Sequence, residues 1–95
     1  MHISPEEAFS ILESWRNGRI SLRVHLPGQA QPVNSTIREI DGTVVHLGSD
    51  PGTLQVDLHG ADFNGDARKE YSSRGAYLVC EFRSGDRYSF YVQNI

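Results

Sequence analysis

The sequence predicts a mainly β fold in which an N-terminal α-helix precedes a five- or six-stranded antiparallel sheet that curls into a small barrel. Apolar residues recur with a helical period before residue 17 and alternate with polar residues from residue 19 onward, and turn residues separate the alternating runs. A chain of 95 residues with this many elements has too little material for two full sheets. We therefore expect one domain, with the helix over about 5–16 and the barrel over about 19–95.

The helix has recognisable start and stop residues. Ser4 supplies a hydroxyl at the N-cap, Pro5 occupies the first helical position, and Glu7 completes a capping box. Asn17-Gly18 supplies a left-handed stop. One apolar stripe follows the spacing i, i+3, i+4 and i+7: Ala8, Ile11, Leu12 and Trp15. So short a helix is marginal alone, so the stripe must pack on the sheet.

The first strands alternate and then turn sharply. Ile20, Leu22, Val24 and Leu26 share one face of a half-buried strand, and residues 29–34 read as a loop. Asp41-Gly42 suits a type I′ turn between strands over 35–40 and 43–47. A single long strand that is kinked by a glycine bulge is the alternative.

Register in the later hairpins follows from keeping apolar residues on one face. Leu47 is expected opposite Leu54 in one hairpin, and Cys80 opposite Tyr88 in the last, where Gly85 closes the turn. Between these hairpins, residues 60–75 form a long polar stretch that is too long for an ordinary connection. A short helix over 67–71 is possible within it.

The order of these elements resembles the Sm-like and SH3-like small barrels over most of the chain. The Sm family carries an Arg-Gly pair in its last hairpin, and Phe82-Arg83-Ser84-Gly85 is similar with one residue inserted. Asp41 matches the family's earlier Asp and Asn signature, which has no second counterpart here. The resemblance implies a small barrel that assembles into a ring and binds RNA.

Composition excludes several classes of protein. Twelve acidic and nine basic residues give a net charge of −3, so the electrostatic attraction behind non-specific DNA binding is missing. Cys80 is the only cysteine, which excludes an intramolecular disulfide, and the first residues lack the features of a secretion signal. We expect a cytoplasmic protein with no membrane span.

Neither a metal site nor a catalytic site is expected. Residues 62–66 place oxygen ligands at alternate positions, as calcium loops do, but the remainder of that motif is missing and a solvated acidic turn is the better interpretation. His46 and His59 are expected about 13 Å apart along the sheet, and lone histidines on polar faces, such as these two and His25, are usually surface residues, which argues against zinc. Cys80 falls on the apolar face, where its pKa rises. We predict no cofactor and no enzymatic activity.

The last hairpin carries the candidate contact residues. Tyr77 and Tyr91 lie out of phase with its core residues, as do Arg83 and Arg87 nearby, and Val79 shares that side. The leading hypothesis is a non-catalytic module that associates with itself or with a protein partner through this hairpin, aided by an unpaired last strand. An RNA-binding Sm-like ring that uses the same four residues is the alternative. A small enzyme or metal-binding domain is third.

Overall fold

The computed structural model describes residues 2–49, 52–65 and 76–93, and shows a mainly β fold with one N-terminal helix. The elements in chain order are β1 (His2–Ile3), α1 (Pro5–Asn17), β2 (Leu22–His25), β3 (Val33–Ser35), β4 (Ile37–Asp41), β5 (Val44–Ser49), β6 (Gly52–Asp57), β7 (Asp62–Gly65), β8 (Tyr77–Glu81) and β9 (Arg87–Val92). Every described strand pair is antiparallel, as the alternation predicted.

The strands form two sheets. The larger one has the order β1-β7-β8-β9-β2-β3 and the smaller one the order β4-β5-β6, and their ladders do not join into a closed barrel within the described residues. Only Thr36 separates β3 from β4, so the chain passes from one sheet to the other in a single step. The expectation that the chain was too short for two sheets was wrong, because strands of two to six residues need little chain.

The helix follows the prediction except at its end. The Ser4 hydroxyl accepts a hydrogen bond from the Glu7 N–H at 3.2 Å, and the whole predicted stripe is buried. Gly18, however, has an ordinary φ of −85°, and Arg19 is the residue with positive φ, at 50°. The predicted left-handed stop therefore lies one residue later, on a side chain that disfavours it. The helix contacts β4 and β7, one strand from each sheet, and so lies over both.

The predicted hairpin registers are confirmed. Leu47 lies opposite Leu54 in the ladder between β5 and β6, and Cys80 lies opposite Tyr88 in that between β8 and β9. β4 and β5 are two strands and not one kinked strand, with Asp41 opposite Val44. Only Gly42 has positive φ in that turn, at 61°, which suits a type II′ turn in place of the predicted I′ turn.

Three strands lie where no strand was predicted. β3 covers the last two residues of the expected loop over 29–34 together with Ser35, and β7 falls inside the polar stretch over 60–75. β1 pairs with β7, so His2 belongs to a strand. The predicted short helix over 67–71 lies outside the described residues. In β7, Phe63 and Gly65 point inward, so this segment is not the solvated acidic turn that was expected.

One core fills the space between the sheets and the helix. Trp15 and Phe90 are its largest fully buried side chains, and the Phe9 ring contacts the edge of Phe63 with centroids 5.9 Å apart. Gly65 is needed for close packing, because a Cβ there would lie 3.0 Å from Cδ1 of Ile3. Within the described ranges, no helix combines the length and apolar character needed to cross a bilayer.

Candidate interaction surface on the six-stranded sheet

The larger sheet presents a second face, opposite the core, which we call the outer face. Its described members, apart from those of the edge strands β1 and β3, are Arg23, His25, Asp62, Asn64, Tyr77, Val79, Glu81, Arg87, Ser89 and Tyr91. All are exposed or half-buried except Ser89. Alternation along β8 and β9 places the core residues on one side and these residues on the other.

A row of aromatic side chains crosses the middle of the outer face. Tyr77 and Tyr91 are direct cross-strand partners, with ring centroids 6.5 Å apart. The His25 ring meets Tyr91 edge-on at 5.6 Å, with the two planes at 88°. Arg23 on β2 is the cross-strand partner of Tyr91 on its other side. Tyr91 is 40% exposed, so this row presents apolar area to solvent beside a cation.

The centre of the next row along the strands is occupied by small side chains. Ser89 lies opposite Val79 on one side and opposite His25 on the other. Ser89 is only 7% exposed although it lies on the outer face, so its neighbours cover it. A small, shielded centre between larger side chains is a shape against which another surface can pack closely.

The third row is an ion pair. Arg87 lies opposite Glu81, and its Nε donates to Oε2 of Glu81 at 3.1 Å, with a second contact from Nη2. This hydrogen bond and the charge of Glu81 raise the pKa of Arg87 above its usual value. Both side chains are substantially exposed, at 61% and 45%, so the pair contributes little to stability. It does fix a cation and an anion side by side on the surface.

The structure brings together three of the four predicted contact residues. Tyr77, Tyr91 and Arg87 lie on the outer face, whereas Arg83 lies in the turn between β8 and β9. Arg23 was not predicted as a contact residue. Its position follows from the pairing of β2 with β9, which no local turn in the sequence signals.

One premise of the sequence interpretation was wrong. The last strand, β9, was expected to have an unpaired edge, but it lies in the interior of the sheet between β8 and β2. A second copy therefore cannot add to the sheet at β9. The other premise, that one face of the last hairpin exposes apolar residues, agrees with the observed outer face.

The structure also places the histidines and the cysteine that were considered as metal ligands or as a nucleophile. The described residues contain no group of three or more His, Cys, Asp and Glu side chains arranged to hold a metal ion. His46 lies opposite Gln55 in the smaller sheet, while His25 lies in the larger one. Burial raises the pKa of the Cys80 thiol to about 12, so at neutral pH it stays protonated and is a poor nucleophile.

Comparison with known proteins gives no match: no family model, no curated protein and no solved structure is similar to this chain.

Proposed function

We propose that this protein is a non-catalytic, cytoplasmic interaction module that associates with a second copy of itself through the outer face of the larger sheet. The observation that carries the proposal is the order of the three rows, which makes the face complementary to itself. The tyrosine row lies on one side of the Ser89 and Val79 row, and the ion-pair row lies at the same distance on the other side. Neighbouring rows are about 7 Å apart.

In the proposed dimer the outer faces of two copies pack against each other. A two-fold axis that runs along the middle row, between the two faces and perpendicular to the strands, would bring unlike rows together. Tyr91 of one copy would then face Arg87 of the second copy, and Tyr77 would face Glu81. A guanidinium over a tyrosine ring gains a cation–π attraction, and a phenol O–H can donate to a carboxylate. Each contact occurs twice in such a dimer, as an isologous interface requires.

The size of the face sets the expected strength. Four strands at about 4.8 Å spacing and five residues at about 3.3 Å give a patch of roughly 320 Å². This is well below the roughly 800 Å² per partner of a standard stable interface. We therefore expect a weak dimer that forms at high protein concentration.

We further propose that the two sheets form an open version of the SH3-like and Sm-like small barrels. The single-residue step from β3 to β4 supports this arrangement, because bent strands that change sheets are typical of such barrels. An Sm-like role in RNA binding is the second candidate function. The placement of Arg23 beside Tyr91 favours it, whereas the carboxylate of Glu81 beside Arg87 would repel a phosphate there.

Sedimentation equilibrium of the full chain tests the main proposal. From about 10 μM to about 1 mM, the weight-average mass should rise from that of a monomer toward that of a dimer. Val79→Lys places two like charges near the axis and should keep the chain monomeric, with its near-ultraviolet circular dichroism unchanged. A wild-type chain that stays monomeric throughout would overturn the proposal. If the chain does not self-associate but retains labelled single-stranded RNA on a filter at low salt, the RNA-binding hypothesis would be supported.

A further inference from the structure

A second feature, separate from the outer face, is an open cleft of about 230 Å³ between the two sheets. Its walls come from the chain after β2, from β6, and from the turn before β9 and the start of that strand: Leu26, Pro27, Gln29, Leu54, Gln55, Val56, Asp86 and Tyr88. Leu54 is 38% exposed there, although it follows the inward-facing alternation of its strand. The cleft is smaller than the roughly 300–1,000 Å³ of pockets that enclose a drug-sized ligand, so it suits a single side chain.

The lining shows that the cleft runs along the edge of β6. Leu54, Gln55 and Val56 are consecutive residues of that strand, and all three line the cleft. Successive side chains of a strand point to opposite faces of its sheet. Three consecutive residues can therefore line one space only if the space lies beside the strand. In the described part of the chain, β6 pairs with β5 alone, so this edge has no ladder partner.

The hydrogen-bond phase of the ladder determines which groups point into the cleft. The Leu58 N–H donates to the carbonyl of Thr43 at 2.9 Å, and these two residues continue the register between β6 and β5. Hydrogen-bonded pairs alternate with non-hydrogen-bonded pairs along an antiparallel ladder. Val56 and Leu54 therefore bond to β5, whereas the N–H and carbonyl of Gln55 point away from β5. These two groups can receive another strand.

The charge of the cleft indicates what that strand carries. Among the described residues that line the cleft, Asp86 is the only charged one, and its carboxylate has no salt bridge to another described side chain. Leu26, Pro27 and Tyr88 supply apolar walls beside it. A lysine or arginine side chain matches both properties, because its long stem packs on apolar surface while its charged end meets a carboxylate. The net charge of −3 on the whole chain favours a basic partner in addition.

We propose that the inter-sheet cleft binds an extended segment of another protein, which adds as a strand to the edge of β6 and places a basic side chain against Asp86. Main-chain hydrogen bonds to Gln55 supply a sequence-independent part of the affinity, and the basic side chain supplies selectivity. The basic side chain of the segment enters the opening between the sheets, while its backbone lies along the edge of β6. This site is distinct from the outer face, and its occupation does not require a dimer.

The test uses the full chain and a blocked heptapeptide, acetyl-Gly-Thr-Val-Lys-Val-Thr-Gly-amide, followed by amide chemical shifts. The peptide should shift the amides of Leu54, Gln55, Val56 and Asp86. A matched peptide with glutamate in place of lysine should bind roughly threefold to fivefold more weakly, the effect expected of one exposed ion pair. Asp86→Asn should weaken binding of the lysine peptide by the same factor and abolish the difference between the two peptides.

Two variants of the strand separate edge pairing from a contact of side chains alone. Gln55→Pro removes the outward N–H without touching a bond to β5, and proline is tolerated on an edge strand. It should weaken peptide binding at least tenfold, while Gln55→Ala, which keeps the N–H, should change it less than twofold. A dispersed amide spectrum for both variants shows that they fold. The proposal would be overturned if the two variants bound the peptide equally, or if the peptide shifted only amides of the tyrosine row. Loss of the dimer in Gln55→Pro without peptide would also overturn it, because the edge of β6 would then be the site of self-association.

Discussion

Replacing Tyr91 by alanine is the most informative perturbation of the proposed dimer. Tyr91 is 40% exposed, which for a tyrosine with about 200 Å² of surface leaves about 80 Å² to bury in each copy. At about 25 cal/mol per Å², that burial is about 2 kcal/mol per copy and about 4 kcal/mol per dimer. Ordering the side chains that meet offsets roughly half of it, so about 2 kcal/mol remains.

A loss of that size corresponds to an increase of about thirtyfold in the dissociation constant of the dimer. Sedimentation equilibrium over the same concentration range measures it directly. Val33→Ala is a matched control, because Val33 is 38% exposed but lies on β3 opposite Val24, off the outer face. If Tyr91→Ala and Val33→Ala change the dissociation constant equally, the assignment of the interface to the outer face is refuted.

Three further predictions concern stability. Burial raises the pKa of the folded Cys80 thiol from 9.0 to about 12, so between pH 9 and pH 12 the thiol ionises only in the unfolded chain. The free energy of unfolding should therefore fall as pH rises, by at most about 1.4 kcal/mol per pH unit. Urea unfolding should show that Cys80→Ala lacks this part of the slope, and identical slopes would contradict the assignment. Gly65→Ala should cost about 1–2 kcal/mol, because the new methyl group would lie 3.0 Å from Cδ1 of Ile3 and 3.3 Å from the backbone carbonyl of Tyr77, which cannot move aside. An unchanged thermal midpoint would show that β7 is not packed as described. Arg19→Gly should raise the free energy of unfolding by about 0.5 kcal/mol, because glycine adopts the positive φ of this position without strain, whereas Arg19→Ala should not raise it. An equal effect of both substitutions would argue against backbone strain at residue 19.

The parts of the fold that sequence could predict are those encoded by local patterns. The helix carries its own cap and stripe, and the register of β5 with β6 follows from matching apolar residues across a short turn. β7 was missed because one of its two inward positions is Gly65, which leaves no apolar alternation to detect. β3 was missed because Val33 is the only apolar residue among its three, so its sequence shows no alternation.

The candidate surface was predictable only within the last hairpin. The pairing of Tyr77 with Tyr91 follows from the short turn that joins their strands. The contribution of Arg23 and His25 depends on β2 pairing with β9, near the opposite end of the chain, and such long-range pairing has no local signal. The same pairing places β9 inside the sheet, which is why the expected free edge of the last strand does not exist.

The contact between the two copies can be measured directly in a sample that mixes isotope-labelled and unlabelled chains. Filtered nuclear Overhauser spectra at about 1 mM detect only proton pairs on different chains. The account predicts cross-peaks between the Tyr91 ring of one copy and the Arg87 side chain of the other. Intermolecular cross-peaks confined to β3 or β6, or none at that concentration, would contradict it.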